Sequence, residues 1–262
     1  MASAGPLALL QITDLHLLPA SNARLLGVDT AASLDAVLSS ALAERAADAL
    51  IVTGDIAHTA EDATYARVGT SIAARYRGPM LWLAGNHDLS APLNRQRPDV
   101  DELRLGDWSV VAIDTHVDNA EGGLVAEAEL ERLRERLARS SARFVVVAGH
   151  HPPVPLGTPW LDTGCIANGA ALLELFAGDP RVKAYVCGHV HQETATLHRG
   201  LSLLTTPSTC FQFVARTERF SVDTTPPGWR WLDLAADGTL TTRVGRATDF
   251  AVTLDLSGFK KH

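Results

Sequence analysis

At 262 residues the chain has the length of one large α/β domain, and 46% hydrophobic with 20% charged residues excludes a disordered or fibrous protein. A formal net charge of −7 makes it a poor binder of nucleic acid or of an anionic membrane, so an anionic substrate would need local positive charge such as a bound metal. Cys165, Cys187 and Cys210 lack C-x-x-C spacing and argue against a disulfide framework or a thiolate zinc site; with no signal peptide or transmembrane helix readable, the expected location is cytoplasmic.

In chain order, Leu7–Ile12 reads as a buried strand. Residues 30–47 predict a helix, with Leu34, Val37, Leu38, Ala41 and Leu42 at helical spacing. Ala49–Thr53 predicts a second strand, 61–76 a second helix and 79–83 a third strand. Residues 108–113 form a fourth strand, and 125–139 a charged helix with Leu130, Leu133 and Leu137 on one face. A strand at 144–147, a helix at 169–176 and a strand at 182–186 come next. From 193 to 244 the texture changes to short strands, at Leu201–Thr205, 219–222, 229–234 and 240–244, with Asp237-Gly238 as a hairpin signal. The pattern is βαβα for two thirds of the chain and β-rich from about residue 201. It predicts a sheet-centred α/β sandwich in a single domain spanning 1–262. The Lys260-Lys261-His262 end reads as a frayed terminus.

The polar residues directly after the apolar runs carry the chemistry. Five predicted strands lead into Thr13-Asp14-Leu15-His16, Gly54-Asp55-Ile56-Ala57-His58, Ala84-Gly85-Asn86-His87-Asp88, Ala148-Gly149-His150-His151-Pro152 and Cys187-Gly188-His189-Val190-His191. In α/β sheets the carboxyl ends of the strands face one crevice, so five separated segments would deliver polar groups to one place. Asp14, His16, Asp55, Asn86, His150, His189 and His191 offer oxygen and imidazole donors without thiolate, a set that suits Zn, Mn or Fe. Seven donors exceed the needs of one metal and fit two that share a carboxylate. A pair about 3.5–4 Å apart is the usual arrangement for phosphoryl-transfer hydrolysis. The D-x-H and H-x-H spacings suit extended strand ends, where residues i and i+2 point the same way. His58, His116, His198 and His262 fall outside the set, although His58 comes closely enough after Asp55 to support it.

The ordered motifs D-x-H, G-D, G-N-H-D, G-H-H-P and G-H-x-H, spread from Asp14 to His191, resemble those of the calcineurin-like metallophosphoesterases. The resemblance implies a central β-sandwich flanked by helices, a four-layer αββα architecture, around a dinuclear metal centre. One metal would be held by Asp14, His16, Asp55 and His191, and the other by Asp55, Asn86, His150 and His189, with Asp55 bridging. The family pattern places the ligand two before Pro152, which selects His150.

A narrower resemblance is carried by Trp160-Leu161-Asp162, by 187–193, by 206–213, by TTPPGW at 224–229 and by 236–240. It is similar to the bacterial class III 3′,5′-cyclic-AMP phosphodiesterases. It implies hydrolysis of 3′,5′-cyclic AMP to 5′-AMP by hydroxide held between two divalent or trivalent ions (Fe, Mn or Zn). The partner would be a small cyclic nucleotide, not nucleic acid or membrane. A broader phosphodiesterase acting on glycerophosphodiesters or 2′,3′-cyclic nucleotides is one alternative; a non-catalytic metal-binding scaffold is another. His58 departs from the pattern, since relatives commonly carry Asp or another polar residue there.

Within such a site His87 is expected beside the leaving oxygen, as proton donor or transition-state stabiliser, with Asp88 orienting its imidazole. His16, Asn86, His87 and His191 are expected to face the substrate. Asn168 either caps the helix it begins or contacts a phosphate or ribose. Trp160, in the Pro- and Gly-rich loop 152–168, is a candidate to stack on a base or to pack within its loop, and residues 209–213 are candidates for the crevice wall. His151 is either a supporting or substrate-facing group or a spacer. Cys187 reads as a packing residue.

Overall fold

Leu7–Ile12 (β1), Ala49–Thr53 (β2) and Met80–Leu83 (β3) are near-continuous apolar runs, and the computed structural model, which describes residues 5–257, gives the reason. All three belong to the part of a sheet that is buried on both faces, where alternation with polar residues is not needed. Alternate side chains still take opposite sides. Leu9 and Ile51 join one core, while Leu10, Leu50 and Val52 join another under the helices Thr30–Glu44 (α1) and Asp62–Ala73 (α2). Asp29 caps α1, accepting a hydrogen bond from the Ala32 amide at 3.0 Å.

The second half adds Ser90–Gln96 (α3), the antiparallel pair Glu102–Leu105 (β4) and Trp108–Ala112 (β5), and Glu127–Arg139 (α4). Phe144–Ala148 (β6), Pro159–Asp162 (α5), Gly169–Ala177 (α6) and Val182–Cys187 (β7) succeed them. Then come Thr194–His198 (β8), Leu201–Thr205 (β9), Gln212–Phe213 (β10), Val222–Asp223 (β11), Gly228–Leu234 (β12) and Leu240–Arg246 (β13). One sheet runs β13-β12-β1-β2-β3 and the other β4-β5-β6-β7-β9-β8, with β10-β11 a separate ribbon. Leu9, Ile51, Leu81, Val110, Val146 and Leu232 fill the space between the sheets. Leu130 and Leu133 of α4, with Leu172 and Phe176 of α6, cover the outer face of the second sheet. The layers are therefore helix, sheet, sheet, helix.

β12 pairs antiparallel with β1, so the β-rich C-terminal portion completes the sheet that the N-terminus begins. The Asp237-Gly238 hairpin joins β12 to β13, with Gly238 at φ +91° and Asp237 Oδ1 accepting from the Thr239 amide at 2.8 Å. The strand expected at 219–222 is reduced to Val222–Asp223, which pairs with only Gln212–Phe213. The elements α3, β4 and α5 are too short to carry a periodic signal, and the helices expected at 30–47 and 61–76 stop at Glu44 and Ala73. No helix among the described residues is long and apolar enough to cross a membrane. The expectation for the Lys260-Lys261-His262 end, and His262 itself, lie outside the described residues.

Candidate metal centre

The five polar segments leave the carboxyl ends of β1, β2, β3, β6 and β7 and meet between the two sheets. Backbone bonds lace them together: the Asp14 amide donates to the Gly54 carbonyl (3.0 Å), His16 to Asp55 (2.8 Å) and Gly188 to His150 (3.0 Å). The His189 amide donates to both carboxylate oxygens of Asp14, each at 3.1 Å. Gly85 must be glycine, because a Cβ there would overlap Asp55 Oδ1.

The D-x-H and H-x-H residues do not sit on the extended backbone that their spacing implies. Asp14, His16, Asp55, His189 and His191 all have positive φ, between +46° and +68°. Non-glycine residues adopt this region at a cost, and such strain gathers at functional sites. Turning, rather than the strand's two-residue repeat, aims both members of each pair inward.

The carboxylate of Asp55 lies between two groups of donors. Its Oδ2 is 3.5 Å from His16 Nε2, and its Oδ1 is 3.5 Å from His150 Nε2. On the first side His16 Nε2 is 3.2 Å from His191 Nε2, which is 3.5 Å from Asp14 Oδ1. On the other, Asn86 Oδ1 lies 3.1 Å from His150 Nε2 and 2.9 Å from His189 Nδ1. All seven residues singled out as metal donors are thus brought together.

The tautomers test whether this set fits a metal. His150 Nδ1 donates to the Thr53 carbonyl at 2.7 Å, which leaves a lone pair on Nε2 of the neutral ring. That lone pair faces the oxygens of Asn86 and Asp55. His191 Nδ1 donates to the Phe211 carbonyl at 2.8 Å, so its Nε2 lone pair faces His16 and Asp14. Electron-rich atoms converging at these distances repel unless a proton or cation lies among them. Oxygen and imidazole donors without thiolate suit borderline or hard cations, so the residues present fit a pair of metal ions.

Burial dominates the electrostatics. It holds His16 and His151 well below the ordinary histidine value, His189 down to about 3 and His58 to about 4. Burial also pushes Asp55 up, but the imidazoles of His150, His87 and His16 overcome it and hold the carboxyl well below its usual range. For His150 burial acts downward, and the Asp55 and Asp14 carboxylates outweigh it and raise the ring. These directions predict how the metal-free fold responds to acid. His16, His58, His151 and His189 stay neutral in the fold where the unfolded chain takes up protons near pH 6.5, so each subtracts stability as pH falls below that value. His150 has the opposite sign: its contribution is present below pH 6.5 and is lost as pH rises. The depressed Asp55 contributes above about pH 4 and does not alter the window between. Asp88, raised by burial to about 6, takes up its proton in the fold over this window and so, like His150, opposes the loss as pH falls. Four against two, the melting temperature of chelator-treated protein should still fall by about 5 °C or more between pH 7 and pH 5. A flat or rising thermal-melt profile over that range would contradict these histidine environments.

The remaining polar residues divide between the cavity and the protein interior. His87 is exposed to the cavity. Its ring stacks on His58 (4.9 Å, 27°) and meets His16 edge-on (4.8 Å, 81°), while its backbone amide donates to Asp55 Oδ1 at 2.9 Å. Asp88 does not orient the His87 imidazole. The turn at 85–88 drives its carboxylate into the protein, where it accepts from the amides of Gly85 (2.9 Å), Ile56 (3.1 Å) and Ala57 (3.1 Å) and from the Tyr65 hydroxyl (2.9 Å). It braces the loop that carries Asp55, and burial beside Asp55 raises it to about 6. His151 is fully buried, with Nδ1 at 2.8 Å from Thr115 Oγ1, and its ring packs against His150 and His189. Asn168 begins α6 but does not cap it with its side chain. Its amide clamps Val125 instead, accepting from the Val125 amide at 3.0 Å and donating to its carbonyl at 2.7 Å. Cys187 is buried packing.

A cavity of about 530 Å³ opens over the centre. His16, Asp55, His58, Asn86, His87, His189 and His191 line one side; Trp160, Phe211, Phe213 and Phe220 line another. The segment 209–213 lies at this wall, as its position after β9 allows. Two of its contributions have no sequence signal: the Phe211 carbonyl fixes the His191 tautomer, and the Phe213 ring stacks on His191 at 4.3 Å and 22°.

Residues 7–193 match the family model described as calcineurin-like phosphoesterase. The chain is 36% identical over 258 residues to the 3′,5′-cyclic adenosine monophosphate phosphodiesterase CpdA of Pseudomonas aeruginosa, covering 96% of this chain and 94% of that protein. It is 38% identical over 256 residues to the protein of the same name from Escherichia coli K12, covering 95% and 93%. Among solved structures it resembles a dimetal phosphatase from Danio rerio (TM-score 0.61, 13% identity, 94% of this chain and 100% of that one). It also resembles the purple acid phosphatase PPD1 from yellow lupin (TM-score 0.69, 14% identity, 97% and 54%). At such identities the structures speak for the fold alone. With the family model and relatives above 30% identity spanning nearly the whole length, the chain belongs to the calcineurin-like phosphoesterases.

Proposed function

We propose that this protein is a metal-dependent phosphodiesterase that hydrolyses 3′,5′-cyclic AMP to 5′-AMP. The observation that carries the reading is the Asp55 carboxylate, whose two oxygens face two separate groups of nitrogen and oxygen donors. The choice of substrate rests on the CpdA relatives. We assign one metal to Asp14, His16, Asp55 and His191 and the other to Asp55, Asn86, His150 and His189. When bound, Fe, Mn or Zn ions supply polarisation of the phosphoryl oxygens and a lowered pKa for water.

The chain's own residues do the rest. Thr53 and Phe211 carbonyls hold His150 and His191 in the tautomer that turns Nε2 inward. The His87 amide and the Asp88-braced loop fix the direction of Asp55. The His87 imidazole, on the cavity side, gives a proton to the departing 3′ oxygen as the P–O3′ bond breaks and the water oxygen becomes part of the 5′-phosphate. A non-catalytic scaffold would have no use for an imidazole presented to the cavity this way. We take residues 1–262 as one catalytic domain, since β12 and β13 complete the sheet built on β1. We place it in the cytoplasm, where its free cysteines fit a reducing compartment.

The test is incubation of purified protein with manganese and 3′,5′-cyclic AMP, then chromatography for 5′-AMP. Formation of 5′-AMP is the expected result, and its absence under metal-replete conditions would overturn the assignment. Glycerophosphodiesters and 2′,3′-cyclic AMP in the same assay measure breadth.

A further inference from the structure

We propose that the aromatic cluster of Trp160, Phe213 and Phe220 is the platform on which the nucleobase stacks. This rests on the reading that the substrate is a nucleotide, and it names the part of the site that distinguishes a nucleotide from any other diester.

The chain has five tryptophans. Trp82, Trp108, Trp229 and Trp231 are buried to 3% exposure or less. Trp160 alone is half-buried, and the surface it leaves open lines the cavity over the metal donors. Its orientation is fixed: Nε1 donates to Thr217 Oγ1 at 3.2 Å. Two further half-buried rings stand against it. Phe213 meets it edge-on at 4.9 Å and Phe220 at 5.4 Å, and those two are 5.6 Å from each other. Each ring braces the other two, so the surface is held in place before a ligand arrives.

The cluster touches the metal donors directly, since Phe213 stacks on His191. Phe211 also packs on His191 and on Phe213, so the donor end of the cavity and its apolar aromatic end are continuous. A nucleotide has the matching pair of ends, an anionic phosphate and a flat base. A glycerophosphodiester has only the first. Stacking on aromatic faces tolerates any base, because every base has a π face. The platform therefore selects nucleotides over diesters without a base while separating adenine from guanine only weakly.

The test compares binding of 5′-AMP and ribose 5-phosphate to full-length, manganese-loaded protein by calorimetry. Wild-type protein should bind 5′-AMP about 10-fold more tightly or better. That advantage should close in Trp160→Leu, and Phe220→Leu repeats the test from the neighbouring segment. 5′-GMP should bind within a few-fold of 5′-AMP. Equal binding of 5′-AMP and ribose 5-phosphate by the wild type would overturn the proposal. So would an undiminished advantage in both variants. A base advantage that collapses in the variants, in protein that does not hydrolyse cyclic AMP, would sustain the platform and defeat the proposed reaction. Hydrolysis of cyclic AMP without a base advantage would do the reverse.

Discussion

Asp55→Ala protein should retain neither metal and should lose turnover of cyclic AMP by about 1,000-fold or more. Asp55 has its two oxygens directed at separate groups of the proposed donors, with His16 on one side and His150 on the other. Removing it takes the shared donor from both groups at once. Asn86→Ala, by contrast, takes a donor from only the group of His150 and His189. Wild-type protein should melt at higher temperature as manganese is added, because a ligand that binds only the folded state stabilises it by mass action. The Asp55→Ala protein should not respond. A metal-dependent melting shift that survives the substitution would refute the shared-carboxylate assignment.

His87→Ala should lower turnover by about 100-fold or more while metal content stays at the wild-type level. The two halves of this prediction have separate causes. The imidazole lines the cavity, and under the proposed reaction its removal takes away the proton donor for the leaving oxygen. What His87 gives to the metal centre is its backbone amide, bonded to Asp55 Oδ1, and alanine keeps that bond. Elemental analysis and steady-state kinetics on one preparation decide the matter. Loss of both metals in His87→Ala would make the residue structural and remove it from the chemistry.

The gathering of the candidate metal donors is legible in the sequence because apolar runs mark where strands stop, and Asp, Asn and His come directly after. The αββα layering is legible for the same reason. Backbone conformation is not. Nothing in D-x-H or H-x-H announces that Asp14, His16, His189 and His191 all turn through positive φ, and the two-residue spacing points to extended chain instead. For Asp88, adjacency to His87 implies a contact that the fold does not make. The turn closed by the Asp88 amide on the Gly85 carbonyl sends the two side chains apart, one into the cavity and one into the protein. Asn168 does stand at the start of α6, but its amide is spent on Val125, which is 43 residues away in sequence. His58 stands out in the sequence as a neighbour of Asp55 and as a departure from the family pattern, but its stacking on His87 depends on the loop after β3. Residues whose role is set by their own strand end can be read locally, whereas those set by a distant partner cannot.

A pair of cations caged between the two sheets underlies every step proposed for this protein. Elemental analysis of purified wild-type protein, loaded with manganese or iron and dialysed, tests that most directly. Two ions per chain is the predicted result, and protein that takes up none, or only one, would contradict it.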